Sequence, residues 1–93
     1  MKKLKIKNDD EVLKKKEKEI LLIVGDNQTK TKVANLGTIE DPDWYGFYTY
    51  QGHVFIVHDG ADQCLLSIDS STADQLVEKI KKDEFEEDPS FQG

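Results

Sequence analysis

"YGFYTYQGHVFIVHDGADQC" (Tyr45–Cys64) decides how this chain folds. Aromatic and β-branched residues dominate "YGFYTY" (Tyr45–Tyr50) and "HVFIVH" (His53–His58), as strands prefer. Only Gln51-Gly52 separates the two, the length of a two-residue hairpin turn. "DGAD" (Asp59–Asp62) supplies a second turn, made either by Asp59-Gly60 alone or by all four residues, and leads into "QCLLSI" (Gln63–Ile68) as a further strand. The stretch therefore reads as an antiparallel meander.

Strict alternation sorts its side chains. One face holds Tyr48, Tyr50, His53, Phe55, Val57, Cys64, Leu66 and Ile68. The other holds Tyr45, Phe47, Thr49, Val54, Ile56, His58, Leu65 and Ser67. Downstream, "DSSTADQLVEKIKK" (Asp69–Lys82) opens a helix, with Ser71 as the expected cap and Asp74 three residues on. Ala73, Leu76, Val77 and Ile80 form its apolar stripe, and the helix ends before Phe85. The first of the two sheet faces is expected to receive this stripe.

Upstream, "KLKIK" (Lys3–Lys7) alternates like a half-buried strand. Asn8–Lys18 reads as a mobile connector or a short exposed helical turn, because Lys16 and Glu17 interrupt any apolar stripe after Val12 and Leu13. "EILLIV" (Glu19–Val24), Gly25-Asp26-Asn27 and "TKTKVANL" (Thr29–Leu36) read as a hairpin. "GTIEDPD" (Gly37–Asp43) is a loop, with Pro42 breaking any ladder. The expected fold is α+β: an antiparallel sheet of about five strands in a meander, with a C-terminal helix packed on one face. Residues 1–82 form one compact domain and residues 83–93 an acidic mobile tail. Meander then helix resembles the later part of pleckstrin-homology-like modules, at the level of fold alone; no basic phosphoinositide site accompanies it.

The 93 residues carry a net charge of -6, unevenly spread. Residues 1–32 hold ten Lys against six acids, and residues 33–93 hold three Lys against thirteen acids. An acidic body repels nucleic acid and anionic membrane and favours a basic partner surface. The basic residues include no Arg, the usual bidentate reader of phosphate and guanine. The chain opens without a secretory pattern and its longest apolar run is too short for a bilayer, so a cytoplasmic protein is expected.

The same 45–64 region contains the reactive-looking side chains. His58 and Cys64 fall on opposite faces. His53 shares the face of Cys64 but sits two to four residues from its cross-strand partner, roughly 7–13 Å at strand rise, too far for a thiol–imidazole pair. His53 and His58 diverge and no second Cys exists, so no zinc site is expected. The carboxylates of "DPDWYG" and "DGAD" lack the calcium-loop pattern. No cofactor, metal or catalytic residue is assigned, and the chain is expected not to be an enzyme.

What remains are surfaces. Trp44 and Tyr45 follow Glu40, Asp41 and Asp43, a combination typical of binding hot spots. Asp59 and Asp62 mark the second turn, and Asp83, Glu84, Glu86, Glu87 and Asp88 mark the tail. These residues are the candidate partner-binding set. The leading expectation is a small, acidic, non-catalytic module that docks a basic surface of another protein, with no direct nucleic-acid or membrane contact. One version is an inhibitor filling a nucleic-acid channel, in the manner of small phage-encoded antagonists of nucleases, whose size and acidity it shares. The alternative is a structural subunit, homodimeric through a sheet face bearing Phe47, Val54, Ile56 and Leu65.

Overall fold

A computed structural model describes residues 5–88, 90 and 91. It shows an α+β fold with one five-stranded antiparallel sheet and two helices. In chain order the elements are α1 (Lys5–Val24), β1 (Lys32–Asn35), β2 (Trp44–Tyr50), β3 (His53–His58), β4 (Ala61–Cys64), a 3-10 turn (Leu65–Ser67), α2 (Ser70–Lys81) and β5 (Glu86–Glu87). The sheet order is β4-β3-β2-β1-β5.

The meander follows its turn chemistry. Gln51 and Gly52 have φ of 52° and 80°, and Asp59 and Gly60 have 53° and 77°. Positive φ at both central residues is the turn geometry whose twist matches paired strands. Tyr50 faces His53, Tyr48 faces Phe55 and Phe47 faces Ile56, as read from the sequence. Asp59-Gly60 alone makes the second turn, pairing His58 with Ala61 and Phe55 with Cys64. The fourth strand stops at Cys64, where a strand to Ile68 was expected; a 3-10 turn then buries Leu65.

The N-terminal third departs most from the sequence reading. The alternation at 3–7 is not a strand: Lys5, Ile6 and Lys7 begin α1, while Lys3 and Leu4 lie outside the described residues. Asn8–Lys18 is neither a connector nor a single turn, and Glu19–Val24 is not a hairpin arm; both lie in the same helix. Among its described side chains, Leu13, Glu17 and Ile20 are buried, at i, i+4 and i+7. Lys16 and Glu17, which look like a break in the stripe, are part of it. The Lys16 side chain is 15% exposed, its stem lying against the protein while its ammonium reaches Asp74 at 3.0 Å. The run "ILLIV" is apolar all round, yet Leu22 is 86% exposed. Gly25, with φ of 85°, ends the helix where a hairpin turn was expected. Only Lys32–Asn35 of the segment 29–36 is strand.

The helices cover the second face of the meander, not the first. Phe47, Thr49, Val54 and Ile56 are completely buried and join Leu13, Ile20, Ala34, Leu65, Ala73, Leu76, Val77 and Ile80 in one core. Phe47, Val54, Ile56 and Leu65 therefore cannot form an exposed dimer face. Thr49 is satisfied inside: its hydroxyl donates to Gly25 O at 2.8 Å and accepts from Gln28 N at 3.2 Å, which anchors the α1–β1 connection. Asp26 and Asn27 side chains accept from Gly52 N and Gln51 N, each at 2.8 Å, tying that connection to the β2–β3 turn.

The cap of α2 is Asp69 rather than Ser71, its carboxylate accepting from Thr72 N at 2.7 Å. The acidic segment from Asp83 begins as structure, not as a free tail. Phe85 meets Phe47 edge to face at 5.6 Å. Lys32 and Val33 pair with Glu87 and Glu86. Asp88 N donates to Thr31 O at 2.8 Å. Phe91 then lies over Gly46, where a Cβ would come within 2.5 Å of its ring. A side chain at 46 would have to displace that ring. No described helix is long and apolar enough to cross a membrane.

Candidate functional site

Trp44 is the first residue of β2, opposite Asn35 of β1. It is 43% exposed. Beside it run two adjoining depressions of about 330 and 260 Å³ that share Val33, Trp44 and Glu86. Asp83 and Glu84 border the first, and Asp88 and Phe91 the second. Val33 and the aromatic rings give this groove an apolar floor; the segment after α2 gives it a carboxylate rim. The segment is held there by the β1–β5 pairing and by Asp83 N donating to Ile80 O at 3.0 Å. The floor residues Val33 and Phe91 carry no chemical signature in the sequence; the β1–β2 pairing sets Val33 opposite Gly46, and Phe91 lies over that glycine.

The loop before Trp44 is braced by its own side chains. Asn35 Oδ1 accepts from Gly37 N and Asp43 N, both at 2.8 Å. A Cβ on Gly37 would sit 2.4 Å from Asp41 O, so the loop admits only glycine there. Glu40 and Asp41 are exposed at its tip.

The expected acidic residues do not form one surface. Tyr45 alternates away from Trp44 and stacks on His58, rings 3.9 Å apart and 6° from parallel. Burial, then the nearby Asp43, Asp69 and Asp59 carboxylates, push its phenol above the usual 10.0. His58 Nε2 meets Asp43 Oδ1 at 2.8 Å and its Nδ1 lies 3.6 Å from Asp59. Asp62 lies on the uncovered face and accepts from Tyr48 Oη at 3.0 Å; burial and this bond raise the Tyr48 phenol pKa. Glu87 faces the helix side, 3.3 Å from Lys32 and 3.7 Å from Lys30, and Lys32 above all holds its carboxyl below the ordinary value. Glu84 pairs with Lys79 at 3.2 Å. The groove therefore gathers Trp44 with Asp83, Glu84, Glu86 and Asp88. Asp43, Tyr45 and Asp59 form a second cluster around His58.

His58 and Cys64 lie on opposite faces, as the register requires. The separation expected between His53 and Cys64 is wrong. A ring nitrogen of His53, Sγ of Cys64 and a carboxylate oxygen of Glu17 lie within 4.8 Å of one another. Diagonal neighbours on one face stand about 7–8 Å apart at the backbone, and their side chains lean together across that gap. Glu17 arrives from α1. β4 ends at Cys64 opposite Phe55, so the next amide along β3, Val54 N–H, has no strand beside it there. Glu17 Oε2 accepts that N–H at 2.9 Å, with His53 Nδ1 3.4 Å from the same oxygen. A carboxylate four residues after Leu13 and three before Ile20, inside the helix stripe, is the sequence signal for this arrangement. No family model, curated protein or solved structure matches the chain.

Proposed function

We propose that this protein is a non-catalytic binding module whose Trp44 groove receives a basic segment on the surface of another protein. The observation supporting this reading is the groove itself. An exposed indole stands on an apolar floor, Asp83, Glu86 and Asp88 border it, and Glu84 beside them is paired with Lys79, which also lines the groove. A lysine or arginine fits such a place twice over, its stem against Val33 and Phe91 and its charge against the indole face and the carboxylates. The net charge of -6 adds long-range attraction and raises the encounter rate. A nucleic-acid-binding protein is the favoured kind of partner, because its phosphate-binding surface presents such cations. Docking there would block that surface.

Trp44 is the only tryptophan, so its fluorescence reports the groove directly. A lysine- and arginine-rich peptide without tryptophan serves as probe. Titration should shift Trp44 emission, with affinity falling steeply as salt rises. Paired Asp83→Asn and Glu86→Gln substitutions should weaken binding, and Trp44→Ala should weaken it more. Salt-independent binding, or binding indifferent to these substitutions, would overturn the reading.

A further inference from the structure

We propose that Glu17, His53 and Cys64 bind a single zinc-like divalent ion, a site separate from the Trp44 groove. The donor set is the first argument. Thiolate, imidazole and carboxylate together suit Zn²⁺ and exclude the hard ions, which want oxygen alone. Geometry is the second. Zinc bonds of about 2.0–2.3 Å in a tetrahedron place donor atoms about 3.3–3.8 Å apart. The three donors already lie within 4.8 Å. Closing by about 1 Å lies within reach of small side-chain rotations. His53 is free to make them, its side chain being 54% exposed.

Glu17 is the third argument. Its side chain is only 9% exposed, and it is fixed by the Val54 amide while lying against the imidazole. An anionic carboxylate kept this far from water is costly unless positive charge or donors compensate it, and a bound cation would complete that compensation. The ligands come from α1, β3 and β4, far apart in sequence, so the site exists only in the folded chain. On binding, the Cys64 thiol gives its proton to solvent and the thiolate bonds to the ion; no redox change is involved. Three protein ligands leave one of the four tetrahedral positions for a water.

Reduced, chelator-treated, untagged protein titrated with Co²⁺ tests this. One equivalent should produce a thiolate-to-metal charge-transfer band together with the strong visible bands of four-coordinate cobalt, and Zn²⁺ should displace it. Cys64→Ser should remove the charge-transfer band. Glu17→Gln and His53→Gln should each weaken affinity ~10-fold or more, a loss that even outer-sphere partners of a metal cause. Gln at 17 still offers an oxygen to Val54 N–H. His53 is exposed, so its substitution tests the site even where Glu17→Gln fails to fold. Asp83→Asn with Glu86→Gln should leave cobalt binding unchanged. Absence of the charge-transfer band at stoichiometric Co²⁺, or a band of unchanged affinity in His53→Gln, would overturn the proposal.

Discussion

On β2 and β3, Phe47, Thr49, Val54 and Ile56 are sealed beneath two helices, while their immediate neighbours Tyr48, Tyr50, His53, Phe55 and Val57 look out from the other side of the same strands. One face contains the core. The other, with its edges, carries what can meet another molecule: Trp44 and its rim at the β1–β5 edge, and His53 with Cys64 where β4 stops. Alternation along a strand fixes which side chains travel together. It does not say which group goes inside, because that is settled by whatever packs on top. Here α1 settles it, and Glu17 is the α1 residue that reaches round to the open side.

Phe47 and Phe55 are two phenylalanines on opposite faces of the sheet. Phe47→Ala should cost ~3–5 kcal/mol, enough to remove most of the stability of a domain this small, whereas Phe55→Ala should cost markedly less. Urea unfolding of the two variants measures both; equal losses would mean that the sheet is covered on both sides. Glu17→Ala should come next, at ~1–3 kcal/mol, because Val54 N–H loses its acceptor while remaining enclosed. Glu17→Gln should recover much of that loss.

Smaller effects sharpen the picture on the covered side. Asp69→Ala removes the α2 cap and should cost ~1 kcal/mol. The Thr72 amide above all, then its hydroxyl and the Ser71 amide, hold the Asp69 carboxyl below its ordinary 3.8. Because the folded value is the lower one, this contribution is complete above 3.8 and fades as pH falls through the folded value. Acid unfolding of wild type and Asp69→Ala should converge at the acid end. Lys16→Met should change stability by less than ~1 kcal/mol, since the stem is retained and only the bridge to Asp74 is lost. A larger loss would mean that this bridge organises the α1–α2 contact.

The meander was legible because period-two alternation and two turn-forming dipeptides agree with each other. α2 was legible because Ala73, Leu76, Val77 and Ile80 are all apolar. α1 was hidden for a specific reason: its inward stripe passes through Lys16 and Glu17, whose stems are buried although their charges suggest solvent. Five apolar residues at its end, Ile20–Val24, then fit a strand as well as a helix. Missing α1 reversed the face assignment and concealed Glu17. Of the binding candidates, Trp44 and the carboxylates after α2 were visible as residue types, but only the β1–β5 pairing shows that they meet. Tyr45 adjoins Trp44 in the sequence, yet alternation within β2 already separates them.

α1 lies against the sheet and Glu17 closes the gap beyond β4, and amide hydrogen exchange at Val54 tests that most directly. Val54 should be protected in the native protein, although no strand neighbours its N–H on that side. In Glu17→Ala its protection should fall by more than that of the Phe47 and Ile56 amides. Rapid Val54 exchange in the native protein, or a loss in Glu17→Ala no greater than at Phe47 and Ile56, would contradict it.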